Sequence, residues 1–175
     1  MNKGLYFIGI LMVYCQVQSS IYDIEFKKIG GSNISMSEFR DKKIIVVLFN
    51  AANPDAARLR FLDSLQLADE SLQVIGIPAT DFAGEGKQED LKAFNSSLSA
   101  KFVMARQASV KKETGIRQQP LLGWLTQVKE NGHFDTNATD VGQLFIISNT
   151  GILYSVLDQG VPEKVLMEVL KQEIR

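Results

Sequence analysis

The chain is expected to form an α/β domain, with a central mixed sheet, helices on both faces and an N-terminal β-hairpin. Three observations predict it. First, Ile44 to Phe49 is an unbroken run of six apolar residues, mostly β-branched, which reads as a strand buried on both faces. Second, a helical pattern and another apolar run, Leu72 to Ile77, follow it and make a βαβ unit. Third, two short apolar runs flank Asn149-Thr150-Gly151 and lead into a last amphipathic stretch, an antiparallel ββα unit.

Each element has its own local reason. Ile21 to Ile29 alternates weakly, Gly30-Gly31 turns the chain, and Asn33 to Met36 answers as the second strand of a hairpin. Ser37 to Arg40 reads as a turn or single helical turn. After the core strand, Asn53-Pro54-Asp55 reads as a helix start, with Asn53 as N-cap and Pro54 in the first helical position. Leu59, Leu62 and Leu65 share a stripe, with Phe61 and Ala68 beside it, which predicts a helix to about Asp69. Pro78 is expected to end the strand Leu72 to Ile77, and a polar loop runs from Ala79 to Lys87.

Leu91, Phe94 and Leu98 then mark a helix, and Phe102 to Met104 a short extended piece. Pro120 opens a helix whose apolar residues are Leu121, Leu122, Trp124, Leu125 and Val128, stopped by Asn131-Gly132. Strands are expected at Leu144 to Ile147 and Ile152 to Leu157. Val161 to Ile174 closes the chain as a helix with Val165, Leu166, Val169 and Leu170 inward.

Composition narrows the function classes. With 175 residues, 45% hydrophobic and 22% charged, the chain can bury a sizeable core. A net charge of -1 gives no reason to propose a nucleic-acid partner. Met1-Asn2-Lys3, the apolar run Leu5 to Tyr14, and Val17-Gln18-Ser19 follow the order of a signal peptide, so residues 1–19 are expected to be removed and 20–175 to form one domain that is exported, periplasmic or secreted. The sole cysteine, Cys15, lies in this segment. Lipidation of Cys15 is the alternative, and it alone would give the protein a membrane partner. Either way the domain holds no disulfide and rests on its core.

The order is hairpin, βαβ, helix, helix, β-hairpin, helix. A βαβ unit followed by an antiparallel ββα unit is the arrangement of a thioredoxin-like fold, to which the N-terminal hairpin and the helix around Leu91 are additions. Four stretches further resemble the glutathione peroxidase family. They are Ile21-Tyr22-Asp23-Ile24 with Gly30-Gly31 and Ile34-Ser35-Met36-Ser37; Asn50-Ala51-Ala52 at the end of the core strand; Gly76 to Phe82; and Pro120-Leu121-Leu122-Gly123-Trp124-Leu125. The resemblance implies a thioredoxin-like fold of glutathione peroxidase type and an association with peroxide reduction and the oxidative-stress response. In that family a thiolate or selenolate at a helix N-terminus attacks the peroxide, its pKa lowered by that position.

The chemistry does not carry over. Alignment on Asn50 and Ala52 puts Asp55 where the family's Cys or selenocysteine stands, or Pro54 with a gap of one residue. The family's Gln falls on Glu85 and its Trp-Asn pair on Asp140-Val141. A resolving cysteine has no counterpart. A redox-inactive pseudoenzyme that acts by binding a protein or small-molecule ligand, without a cofactor, is therefore expected. The competing expectation is a metal-dependent or acid–base enzyme in which Asp55, Glu85 and Asp140 converge, since grouped carboxylates suit Ca²⁺ or Mg²⁺ or can shift each other's pKa.

The remaining motifs carry less. His133, the only histidine, reads as a surface-loop residue, because zinc sites need several Cys or His ligands. Lys101, Arg106, Lys111, Lys112 and Arg117 make the segment from Ala100 to Gln118 basic; a solvated loop is the default, an anion-receiving one the alternative. Gly84 and Gly86 lack the Lys-Ser/Thr of a phosphate cradle. Trp124 reads as a core residue beneath the sheet.

Overall fold

The computed structural model describes residues 19–82, 84–112 and 118–173. The hairpin is β1 (Glu25–Lys27) and β2 (Asn33–Ser35), with Phe26 opposite Ile34. The central sheet holds β3 (Lys43–Asn50), β4 (Leu72–Ala79), β5 (Val103–Met104), β6 (Leu144–Ile147) and β7 (Leu153–Leu157) in the order β5-β4-β3-β6-β7. β5, β4 and β3 are mutually parallel, and β6 and β7 run antiparallel. The mixed sheet expected from the sequence is present.

Alternation along β3 explains its unbroken apolar run. Ile44, Val46 and Leu48 enter one buried cluster with Tyr22, Trp124 and Phe145, while Ile45, Val47 and Phe49 enter another with Leu59, Leu62 and Leu166. Successive side chains leave opposite faces of a strand, so covering both faces requires apolar residues at every position. The first face is covered by the N-terminal segment and α3 (Pro120–Thr126), the second by α1 (Ala56–Ala68), α2 (Gln88–Ser96) and α5 (Glu163–Leu170). Trp124 is buried in the first cluster, and its Nε1 donates to the Ser19 carbonyl at 2.9 Å.

Four expectations need correction. α1 begins at Ala56, not at Asn53-Pro54: Asp55 is the N-cap, its Oδ1 accepting the Arg58 amide at 3.0 Å. The Asn50 side chain takes the amides of Ala52 at 2.8 Å and Asn53 at 3.0 Å, and so holds Asn53 in the turn before the helix. Pro78 lies within β4 instead of ending it. The Pro78 carbonyl accepts the Ala108 amide at 3.1 Å, so its missing N–H also faces that irregular segment, away from β3.

The helix opened by Pro120 breaks at Gln127 and resumes as the short α4 (Val128–Asn131), leaving Val128 44% exposed. Thr126 Oγ1 bonds back to the Leu122 carbonyl at 2.7 Å, and the Asn131 side chain takes over the Trp124 carbonyl at 2.8 Å. α5 is shorter than expected, and Val165 is exposed. Leu166 points inward, Val169 and Leu170 fall three and four positions later on the same face, and Val165 is turned aside. Ile174 lies outside the described residues, as do Cys15 and the rest of the expected signal peptide up to residue 18.

The edge of the sheet carries one titration marker. Tyr154 on β7 donates to the Val169 carbonyl at 3.3 Å, and burial pushes its hydroxyl up to about 12. Its folded pKa thus exceeds the unfolded value of about 10. The resulting stability is complete below about pH 10 and is lost as pH rises through the folded value. Burial raises Tyr22 as well, so absorbance titration should show a late-ionising phase that Tyr154→Phe reduces by one tyrosine; an unchanged late phase in that variant would contradict the assignment.

Candidate functional site

The C-terminal end of β3 brings together two of the positions singled out in the sequence, Asp55 and Val141. Ala51 continues beyond the strand, its amide donating to the Ala79 carbonyl at 3.3 Å, and the chain turns through Asn53 and Pro54 into α1. The neighbouring antiparallel connection reaches the same end. Gly142 donates to the Leu48 carbonyl at 2.6 Å, and Leu48 donates to the Gln143 carbonyl at 3.0 Å, which sets Val141 beside the end of β3.

A cleft of about 240 Å³ results, lined by Asn50, Asn53, Asp55, Arg58, Val141 and Gln159 among others. Two of the positions singled out in the sequence, Asp55 and Val141, therefore share one cavity. The Asp55 carboxylate is exposed and already serves as helix cap. Arg58 Nη2 reaches the Val161 carbonyl at 3.4 Å, and its guanidinium stands 5.7 Å from the centre of the Phe61 ring. Asn50 spends its side-chain oxygen on the turn, which leaves its amide nitrogen for another acceptor. The cleft thus offers amide and guanidinium donors beside one carboxylate.

Glu85 arrives by a different route. A Cβ at Gly86 would stand 2.0 Å from the Ala51 carbonyl oxygen, so the loop before α2 rests directly on the end of β3. Only glycine permits that approach. Gln107 Oε1 holds the Gly86 amide at 3.0 Å. Glu85 itself is exposed and is not among the residues lining the Asp55 cleft.

Asp140 is exposed too, and its Oδ1 accepts the Val141 amide at 2.7 Å. Of the three carboxylates expected to converge, Asp55 alone borders this cleft. Among the described residues no group of three or more His, Cys, Asp or Glu is placed to hold a metal ion. Two of the three carboxylates accept nearby backbone amides, Asp55 that of Arg58 and Asp140 that of Val141.

His133 is exposed, as expected of a surface loop, and its backbone amide donates to Asn131 Oδ1 at 2.8 Å. The basic segment is split by its contacts. Lys112 pairs with Asp135 at 2.6 Å, Lys111 lies 4.7 Å from the centre of the Phe82 ring, and Arg117 lies outside the described residues. Sequence reasoning missed Arg58 and Gln159 as cleft residues. Arg58 could have been noticed as the residue three positions after the N-cap; Gln159 has no linear signal, because only the β6–β7 hairpin brings it back.

No protein-family model matches the chain, and no curated protein matches it in sequence. Solved structures do match. The protein is similar to Trgpx in its apo form (TM-score 0.64, 16% identity, 87% of this chain and 95% of that one). It is similar to GPX1 of T. cruzi (TM-score 0.64, 16% identity, 87% and 94%). It is also similar to the exposed lipoprotein thioredoxin Etrx1 of Streptococcus pneumoniae strain TIGR4 (TM-score 0.56, 15% identity, 85% and 98%). At these identities the likeness speaks for the architecture, a thioredoxin-like fold of glutathione peroxidase type.

Proposed function

We propose that this protein is an exported, glutathione-peroxidase-like pseudoenzyme that works by binding a protein or small molecule. What supports the reading most is the N-terminus of α1. A family nucleophile would be a sulfur or selenium there, whereas Asp55 occupies it as a helix cap, and no cysteine occurs among the described residues. A carboxylate cannot replace a thiolate in attack on the O–O bond. The Gln, Trp and Asn positions of the family are also replaced, by Glu85, Asp140 and Val141. A metal-dependent alternative finds no support in the placement of the three carboxylates.

The assay is direct. Reduction of hydrogen peroxide or an organic hydroperoxide, coupled to NADPH oxidation through glutathione or thioredoxin, is expected to stay at background. Turnover that persists in Cys15→Ser, which lacks any thiol, would sink the proposal for a new reason; turnover lost in that variant would return the chemistry to Cys15. Export rests on the signal-like residues 1–19, with 20–175 as the domain. Among the described residues no helix is long and apolar enough to cross a membrane. Intact mass after expression in a bacterial host separates a Ser20 start from an acylated Cys15, and the Ser20 start is expected.

A further inference from the structure

We infer that a second cleft, between the β1–β2 hairpin and the start of α3, binds a small organic carboxylate. Lys28 and Ala105 form an antiparallel bridge, and the Arg106 amide donates to the Lys27 carbonyl at 2.7 Å. That register sets Lys27 directly opposite Arg106. Both residues border one cavity of about 410 Å³. Like charges facing each other across a strand pair are unfavourable, and a structure that keeps them there gains from an anion between them.

Neither Lys27 nor Arg106 takes part in the ion pairs Lys112–Asp135 and Lys129–Glu130, and neither is salt-bridged to Glu25. Glu25 borders the same cavity two positions before Lys27, on the same side of β1. The rim therefore carries two positive charges against one negative. This balance suits a singly charged carboxylate better than a phosphate, whose second charge would meet Glu25.

Amides complete the recognition chemistry. Asn33, Gln107 and Gln119 also border the cavity. Gln119 Oε1 accepts the Leu122 amide at 3.3 Å, but its Nε2 is buried without an acceptor, the only such side-chain donor among the described residues. A donor left without an acceptor beside a cavity is one that a ligand oxygen could satisfy after a small rotation of the side chain. The planar Arg106 fork matches a carboxylate, and Pro120 and Ala108 provide apolar wall for the rest of the molecule. The size falls in the range of small-molecule sites. The cleft shares no lining residue with the one at Asp55, so the inference stands whether or not peroxide chemistry survives.

The test is an ¹⁵N chemical-shift titration at constant ionic strength with benzoate, benzamide and inorganic phosphate. Benzoate is expected to give saturable shifts at Lys27, Arg106, Gln107 and Gln119, with benzamide silent and phosphate weaker. Arg106→Gln and Lys27→Gln should each weaken benzoate binding by about ten-fold, the loss of one charge-assisted contact. Thermal unfolding of both variants should show the fold intact. Shifts from benzamide equal to those from benzoate, phosphate binding as tight as benzoate, benzoate binding unchanged in Arg106→Gln, or no saturation would each overturn it.

Discussion

Phe145→Ala is expected to destabilise the protein by about 3–5 kcal/mol, the range for removing a buried aromatic ring. Phe145 is fully buried on β6, opposite Val46 of β3 and Val156 of β7. Its ring belongs to the cluster that joins the N-terminal segment and α3 to the sheet. Total stabilities of domains run about 5–15 kcal/mol, so the loss would take a large share. Chemical denaturation should show the midpoint falling with little change in slope. Phe145→Leu, which keeps most of the volume, should cost less than half as much. A cost below about 1 kcal/mol for the alanine variant would mean that the ring is not packed as described. β6 also carries the backbone that sets Gly142 and Val141 against β3, so the same variant should loosen the Asp55 cleft.

Asp63→Ala should cost about 3 kcal/mol, because the carboxylate is buried and serves three donors. Asp63 Oδ1 accepts Gln66 Nε2 at 2.7 Å and Ser99 Oγ at 2.5 Å, and Oδ2 accepts the Ser99 amide at 2.8 Å. Gln66 in turn accepts the Val74 amide at 2.9 Å, and Gln73 Nε2 donates to the Lys101 carbonyl at 2.8 Å. The network pins α1, β4 and the segment after α2 together. Removing its centre leaves buried donors with no acceptor, which costs more than the bonds themselves are worth. Asp63→Asn keeps an acceptor and should lose about half as much. The double variant Asp63→Ala/Ser99→Ala should be less than additive, since the two residues share one interaction. Strict additivity in thermal melts would show that the network does not act as a unit.

Asp63 and Gln66 also mark where sequence reasoning stops. Leu59 and Leu62 were legible as an inward stripe of α1, because apolar residues three apart on a helix announce a buried face. Asp63 and Gln66 sit on the same helix and are as deeply buried, yet a polar residue announces nothing until its partners on β4 and beyond α2 are known. The start of α1 shows the same divide. Asn53, Pro54 and Asp55 are all good helix openers. Asn50, one turn earlier, holds Asn53 in the turn and leaves the cap to Asp55.

The sequence by itself determined the succession of elements along the chain, the hairpins at Gly30-Gly31 and Asn149 to Gly151, and the two-sided burial of β3. These follow from local periodicity and turn chemistry, which neighbouring residues carry among themselves. It also determined that sulfur is missing wherever the resemblance asks for it. Only the tertiary structure decided that Asp55 and Val141 line one cleft while Glu85 and Asp140 do not line it. Only it set Lys27 against Arg106. Register between distant strands and the direction of loop side chains are settled when the sheet closes, and no stretch of the chain encodes them alone.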